Sequence, residues 1–327
     1  MQNFIDKGKY MDKPLISYVI TAYNSEKFIS EAIDCAFNQT YSPLEIIVSD
    51  DCSTDNTWRI IEEKVKAYNG THKVKISRNE KNMGISQHMS KAYIELAQGE
   101  IIVAAHADDI SLPERVEKSY QFLNSHPDCN AVSFAINYMN EEGEVVKGCQ
   151  DFTDCDERYY GIGDGLKMGN IPAPSRAFYK EVMTTFGWLD KSCPTEDELI
   201  TFRAQLMGKK NAYLKDELVF YRKHENSSSS ILNFDKFPLS KIYKQLEVDA
   251  NKAVMLKMIS QQLCEKLLKH IRKQHKIRKC YREWLVSPSI ITVLKIQFRF
   301  IPLKSKLYFF KLWLNSVLRS SNEQDNG

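Results

Sequence analysis

The chain has 327 residues, 43% hydrophobic and 27% charged, which is ordinary globular usage and excludes a disordered chain or a fibre. The length suits one large domain with an appendage. The net charge of +3 hides an asymmetry: from Glu265 onward 14 Lys/Arg stand against 4 Asp/Glu, leaving 31 against 38 in residues 1–264.

Leu15–Ala22 is an apolar run with β-branched Ile16, Val19, Ile20 and Thr21, and reads as a buried strand. Ser25 can cap a helix in which Phe28, Ile29, Ala32, Ile33, Ala36 and Phe37 recur at helical spacing. Leu44–Ser49 is a second strand, stopped by Asp50-Asp51, and Thr54 or Asp55 can cap a helix to about Tyr68. Val74–Ser77 reads as a short strand. Gly84 precedes a helix from Ser86 to Ala97, closed by Gly99. Ile101–Ala105 is a buried strand running into His106-Ala107-Asp108-Asp109, and Pro113 opens a helix to Asn124. Strands alternating with helices imply an α/β fold with a mostly parallel sheet and helices on both faces. Ligands of such sheets bind at the carboxyl ends of the strands, which puts Tyr23-Asn24, Asp50-Asp51 and His106 to Asp109 first among the candidates.

After a strand at Ala131–Tyr138, Gly161, Gly163, Gly165 and Gly169 mark a loop-rich segment. Helices are expected over Lys180–Phe186 and from Glu196-Asp197 to Leu206, ended by Gly187 and Gly208. Ser227–Ser230 marks the end of the body, and the chain beyond Phe237 reads as helical.

Met1–Lys13 has no apolar core and does not read as a secretory signal; no stretch approaches the ~20 apolar residues of a membrane span. Eight cysteines without a C-x-x-C pair read as reduced thiols of a cytosolic protein, not as a zinc site.

No phosphate-cradling G-x-x-x-x-G-K-[ST] and no G-x-G-x-x-G after the first strand is present, so a nucleotide would have to be met another way. A divalent cation held by carboxylates can neutralise a diphosphate directly. Asp50-Asp51 and Asp108-Asp109 supply carboxylates at one edge of the sheet. Such residues also end strands and cap helices, but two like-charged pairs on one edge repel unless something relieves them.

VITAYNSEKFISEAIDCAFNQTYSPLEIIVSDDCSTDNT, followed by NEKNMGISQHMSKAYIELAQGEIIVAAHADDISLPERV, resembles the family 2 inverting glycosyltransferases of GT-A fold, over about Pro14 to His224. The resemblance implies a nucleotide-sugar donor, usually a UDP-sugar, a divalent metal (Mg²⁺ or Mn²⁺) and transfer with inversion to a glycan or lipid-linked glycan. It implies that Thr21, Tyr23 and Asn24 pack on base and ribose, and that one of Asp50 and Asp51 accepts from the base. Asn82 and Gly84 would flank the nucleotide, with Arg78 a candidate neighbour of the base. Asp108 and Asp109 would hold the metal, and Tyr221-Arg222 with His224 would close the phosphate side, His224 as a phosphate or metal contact. Glu196-Asp197 would supply the general base, Asp197 being favoured. The pattern departs from the family at His106, where many relatives carry an acid; a neutral imidazole there can hydrogen-bond a ribose hydroxyl or ligate the metal.

Arg176 can meet a phosphate or form a surface salt bridge, and Trp188 can stack on the acceptor or pack in the core. The tail sequence TVLKIQFRFIPLKSKLYFFKLWLNSVLR interleaves aromatics with Lys and Arg. It suits an anionic inner-leaflet membrane surface, or a helical subdomain packed on the body, better than nucleic acid. The expected organisation is a flexible 1–13, a GT-A domain over 14–230, a helical basic region over 231–320 and a disordered 321–327. The expected activity is that of a metal-dependent hexosyltransferase of bacterial surface-polysaccharide synthesis, cytoplasmic or peripheral at the inner membrane face. A non-catalytic relative serving as a binding or scaffold subunit is the alternative.

Overall fold

A computed structural model describes residues 13–147, 156–162, 172–224 and 238–286, with side chains to 280. The expectations for the N-terminal and C-terminal ends, the boundary at Ser227–Ser230, three of the four clustered glycines and the basic segment after Pro288 lie outside these residues. The first half alternates as anticipated: β1 (Ile16–Ala22), α1 (Ile29–Phe37), β2 (Leu44–Asp50), α2 (Thr57–Ala67), β3 (Lys73–Arg78), α3 (Ile85–Ser90) and β4 (Ile101–His106). Then come β5 (Ile110–Ser111), α4 (Arg115–Ser125), β6 (Cys129–Met139), β7 (Val145–Lys147), β8 (Glu157–Tyr160) and β9 (Ala177–Tyr179). The remainder is α5 (Glu181–Thr184), α6 (Asp197–Leu206), β10 (Lys210–Arg222), α7 (Leu239–Met255) and α8 (Gln261–Val286).

The sheet runs β3-β2-β1-β4-β9-β6-β10-β5, with β7 on β6 and β8 on β10. β3, β2, β1 and β4 are parallel, and β6 and β10 form a second parallel pair; β9 runs antiparallel between β4 and β6. Both faces are covered, as the unbroken apolar character of β1, β2 and β4 requires. Tyr18, Ile20, Ile46, Val48 and Val103 face α1 and α4 through Ile33, Val116 and Leu123. Val19, Ile47 and Ile102 face the opposite layer, with Tyr93, Phe202, Leu246 and Ile271. Each fully buried side chain of this size contributes roughly 1.5–3 kcal/mol.

Several local expectations are corrected. The Ser25 hydroxyl bonds back to the Tyr23 carbonyl, and it is the Ser25 carbonyl that accepts the Phe28 and Ile29 N–H groups. The N-cap of α2 is Asn56, with no side-chain cap, rather than Thr54 or Asp55; Asp55 accepts the Thr57 N–H in the turn that leads into the helix. The expected helix over Ser86–Ala97 is α3 followed by a π-helical turn, Lys91–Leu96. Four short strands and the thirteen-residue β10 were not anticipated. In β10 the charged run Lys215-Asp216-Glu217 breaks the alternation, and there the pairing with β6 shifts register.

The C-terminal helices pack on the body. Arg203 of α6 and Asp249 of α7 form a fully buried ion pair at 2.8 Å, braced by the Gly187 carbonyl and Gln245. Tyr243 of α7 stacks on His275 of α8 at 4.5 Å between centroids. Arg278 of α8 pairs with Glu198 of α6. Among the described residues no helix is long and apolar enough to cross a membrane.

Candidate active site

Parallel register aligns the strand ends: Ala22 lies opposite Asp50, Asp50 opposite Arg78, and Thr21 opposite His106. Thr21, Asp50, Arg78 and His106 therefore share one edge of the sheet. The loops leaving it are tightly turned, with positive φ at Asn24 (48°), Cys52 (62°) and Gly84 (79°). Non-glycine residues in this region are uncommon and cluster at functional loops. The Asn24 side chain accepts from the Thr54 N–H at 2.9 Å and its own N–H donates to the Ser53 hydroxyl, which locks the first loop onto the second. Tyr23 is left half exposed at the rim.

Asp50 and Asp51 are both buried and already partnered. Asp50 accepts from the Ser53 N–H and hydroxyl and pairs with Arg78 at 3.2 Å. Arg78 also reaches the Ser53 carbonyl at 2.8 Å and lies over the Trp58 ring. Asp51 accepts from the Asn79 amide (2.7 Å) and from the N–H groups of Met83 (2.9 Å) and Gly84 (3.0 Å). Asn82 accepts from the same Gly84 N–H, so both residues act on the loop that opens α3. Beneath them His88 is buried and bonded to the Ser49 hydroxyl at 2.8 Å. Burial holds its imidazole below the ordinary range against the pull of Asp51 and Asp50.

At the end of β4, Asp108 and Asp109 diverge. Asp108 meets His224 at 3.1 Å and keeps some exposure. Burial works against its charged form, but the His224 hydrogen bond and nearby His106 prevail, and the carboxyl sits below its usual range. Asp109 turns inward, where one oxygen accepts the Arg222 N–H at 3.0 Å and the other has no partner. Burial and then the Asp108 charge hold Asp109 well above the carboxylate range. Arg222 does not face open space: its guanidinium bonds the carbonyls of Asp108 and Glu141, pairs with Glu31 at 2.6 Å and lies over Phe28. The donor set that meets is thus Asp108 with His224, beside His106. Among the described residues no three His, Cys, Asp or Glu side chains converge into a complete cage. Such a partial set suits Mg²⁺ or Mn²⁺, which are commonly held by one or two carboxylates together with substrate phosphates.

Glu196 and Asp197 open α6 at the far side of the edge. Glu196 is 5% exposed and Asp197 is half-buried. Burial, the Asp197 charge and a hydrogen bond with Asp197 hold Glu196 well above the carboxylate range, against the pull of Arg176. Two neighbours of this pair were not foreseen. Arg176 is buried, not a surface residue, and donates to the Asp197 carbonyl at 2.8 Å, while its own carbonyl accepts the Ala104 N–H from β4. Tyr93 sits on the π-helical turn, edge-on to Phe178, with its hydroxyl buried and unpartnered beside Glu196 and Asp197. A lone Arg in a loop and a Tyr at helical spacing carry no motif, and only the extra residue of a π-turn aims the latter at the acids. Trp188 is partly exposed rather than core.

Residues 17–178 match the family model described as glycosyl transferase family 2. The chain is 32% identical to an uncharacterized glycosyltransferase of Methanocaldococcus jannaschii over 42% of its length, and spans about half (47%) of that relative. It is 26% identical to an uncharacterized glycosyltransferase of Haemophilus influenzae over 93% of this chain and 98% of the other. It is 28% identical to the Escherichia coli UDP-Glc:alpha-D-GlcNAc-diphosphoundecaprenol beta-1,3-glucosyltransferase WfaP, over 74% of this chain and 90% of the other. Among solved structures, Staphylococcus aureus TarS in complex with UDP-GlcNAc superposes with TM-score 0.63 at 19% identity, over 84% of this chain and 76% of that one. The mannosyltransferase PcManGT of Pyrobaculum calidifontis, with GDP-Man and Mn²⁺, superposes with TM-score 0.55 at 15% identity, over 88% and 79%. The sheet order, the aligned strand ends and these likenesses agree: through residues 17–178 the chain belongs to glycosyl transferase family 2, on a GT-A-type fold.

Proposed function

We propose that the protein transfers a sugar from a nucleotide-sugar donor, a UDP-sugar, to a hydroxyl of a glycan or lipid-linked glycan with inversion. The observation that carries this is the acid pair opening α6, backed by buried Arg176, whose own carbonyl accepts the Ala104 N–H of β4. An inverting transfer needs one ionised carboxylate to take the acceptor proton while the oxygen attacks opposite the leaving diphosphate. Asp197, the more exposed acid, takes that role; Glu196, whose carboxyl burial and the adjacent Asp197 hold above the usual range, orients it. The intact Glu196-Asp197 pair with Arg176 behind it argues against a scaffold without turnover.

The donor's base and ribose rest on the edge formed by Thr21, Tyr23 and Asn24, with Arg78 as the polar contact and buried Asp50 holding Arg78 and the second loop in place. Asp51, Asn82 and Gly84 shape that pocket through the α3 loop rather than by touching the nucleotide. A divalent cation would be held by Asp108 and His224 with His106 nearby, and when bound it would neutralise the diphosphate charge. Asp109 supports that site by fixing the Arg222 backbone. A lipid-linked acceptor is suggested by analogy with WfaP, whose name specifies a diphosphoundecaprenol-linked one.

The test is a screen of UDP-, GDP- and dTDP-sugars with Mn²⁺, reading nucleoside diphosphate release and the anomeric configuration of the product by NMR. UDP release with inverted product, abolished by EDTA and by Asp108→Asn, is expected. Retention of configuration, or EDTA-resistant donor binding by calorimetry, contradicts the mechanism or the metal assignment respectively.

A further inference from the structure

The α7–α8 hairpin presents a basic outer face with an apolar tip. Along α7 the exposed positions include Lys241, Lys244, Val248 and Met255, spaced three, four and seven residues apart, so they form one stripe. Along α8 a groove is lined by Glu265, Leu268, Lys269, Arg272, Lys273 and Lys276. The two stripes join on one side of the hairpin, because Arg272 pairs at 2.9 Å with Glu247, which directly precedes Val248. That pair neutralises the α7 acid, and the remaining cations here have no ion pair among the described residues.

The tip of the hairpin is apolar. Met255 is 81% exposed, and Leu256 and Met258 are exposed beside it, with Lys257 between them at φ 58°. A turn is normally polar, so three large apolar side chains at one tip call for a partner.

We propose that this face docks on an anionic lipid bilayer, the lysines against headgroup phosphates and the Met255–Met258 tip in the interfacial layer. The charge and the apolar tip together select this occupant. Basic residues gain from an anionic surface, and apolar side chains gain from the headgroup–acyl boundary. Single-stranded nucleic acid would call for exposed stacking aromatics, whereas Tyr243 is buried against His275. A second copy of the same face would bring like charges together. The far end of the face has a use as well: Arg278 grips Glu198, the residue after Asp197. A bilayer along the hairpin would then lie within about 40 Å of the proposed base, one α8 length at roughly 1.5 Å per residue, where a lipid-linked acceptor emerges. This last link rests on the transferase reading; the docking itself does not.

The experiment is co-sedimentation of the full-length protein with phosphatidylglycerol–phosphatidylcholine vesicles and with pure phosphatidylcholine vesicles. Wild type should bind only the anionic vesicles. The triple change Lys269→Glu, Lys273→Glu and Lys276→Glu should weaken binding on the order of a hundredfold. Met255→Ser with Leu256→Ser should weaken it about tenfold while leaving it salt-sensitive. Thermal unfolding and nucleoside diphosphate release from the donor in vesicle-free solution should match wild type in both variants, which separates failure of docking from failure of the transferase reading. Wild-type affinity in either variant, equal binding to neutral vesicles, tighter capture by a short RNA than by vesicles, or a dimer dissolved by the methionine change would each overturn the proposal.

Discussion

The Asp50-Asp51 pair and the Glu196-Asp197 pair use carboxylates in opposite ways. In the Asp50-Asp51 pair every carboxylate oxygen has a partner inside the protein: Arg78 and Ser53 for Asp50; Asn79, Met83 and Gly84 for Asp51. In the Glu196-Asp197 pair the acids face each other, one buried guanidinium and an unpartnered tyrosine hydroxyl. Satisfied carboxylates hold loops, while a carboxylate kept short of partners stores reactivity. The comparison teaches that acid pairs which look alike in sequence divide into structural and chemical ones by what donates to them.

The division makes a paired expectation. Asp51→Ala orphans the Asn79 amide and the Met83 N–H, while the Gly84 N–H keeps Asn82, and each orphaned donor costs about 1–3 kcal/mol. Chemical denaturation should show a loss of about 3 kcal/mol or more. A near-neutral result would mean that Asp51 does not clamp the α3 loop. Arg176→Gln should fall between the two classes, because Arg176 both anchors the Asp197 carbonyl and favours ionisation of Glu196. We expect kcat to drop about tenfold, with the acidic limb of the kcat/KM profile moved to higher pH and Arg176→Lys restoring most of both. An unmoved pH limb would reduce Arg176 to a packing role.

Glu196 gives a smaller and pH-dependent signature. Its carboxyl is raised in the folded protein, so the folded state favours the protonated acid and loses stability as pH climbs from the ordinary carboxylate range through the raised folded value. Glu196→Gln removes the ionisation. Its Tm should exceed wild type by about 2–4 °C at pH 8 and match it near pH 4. A pH-independent difference would show that burial of the charge is not what raises Glu196.

Much of the frame was legible because its periodicity is strong. β1, β2 and β4 are unbroken apolar runs covered on both faces, and Gly208 stops α6 after its apolar stretch. The strand-end acids were legible as positions, since a parallel sheet puts its ligands there. What each acid bonds was not, because Asp51 is defined by Asn79 and Gly84, more than 25 residues away in the chain. β10 escaped notice because Lys215-Asp216-Glu217 interrupts it at a bulge. Tyr93 escaped because a π-turn moves one side chain without changing the helical pattern of its neighbours. The hairpin face was not legible, since exposed Met255 and Leu256 stand out only once α7 and α8 are seen to pack on α6.

The most direct measurement is the single-turnover transfer rate of Asp197→Asn with saturating acceptor, taken together with its donor Kd. Loss of a positioned general base should slow transfer by ~10²–10⁴-fold while donor Kd and stability stay at wild type. A variant that keeps more than about a tenth of the wild-type rate, or whose donor affinity falls in step with its rate, would contradict the assignment of chemistry to the α6 acids and of donor holding to the opposite edge.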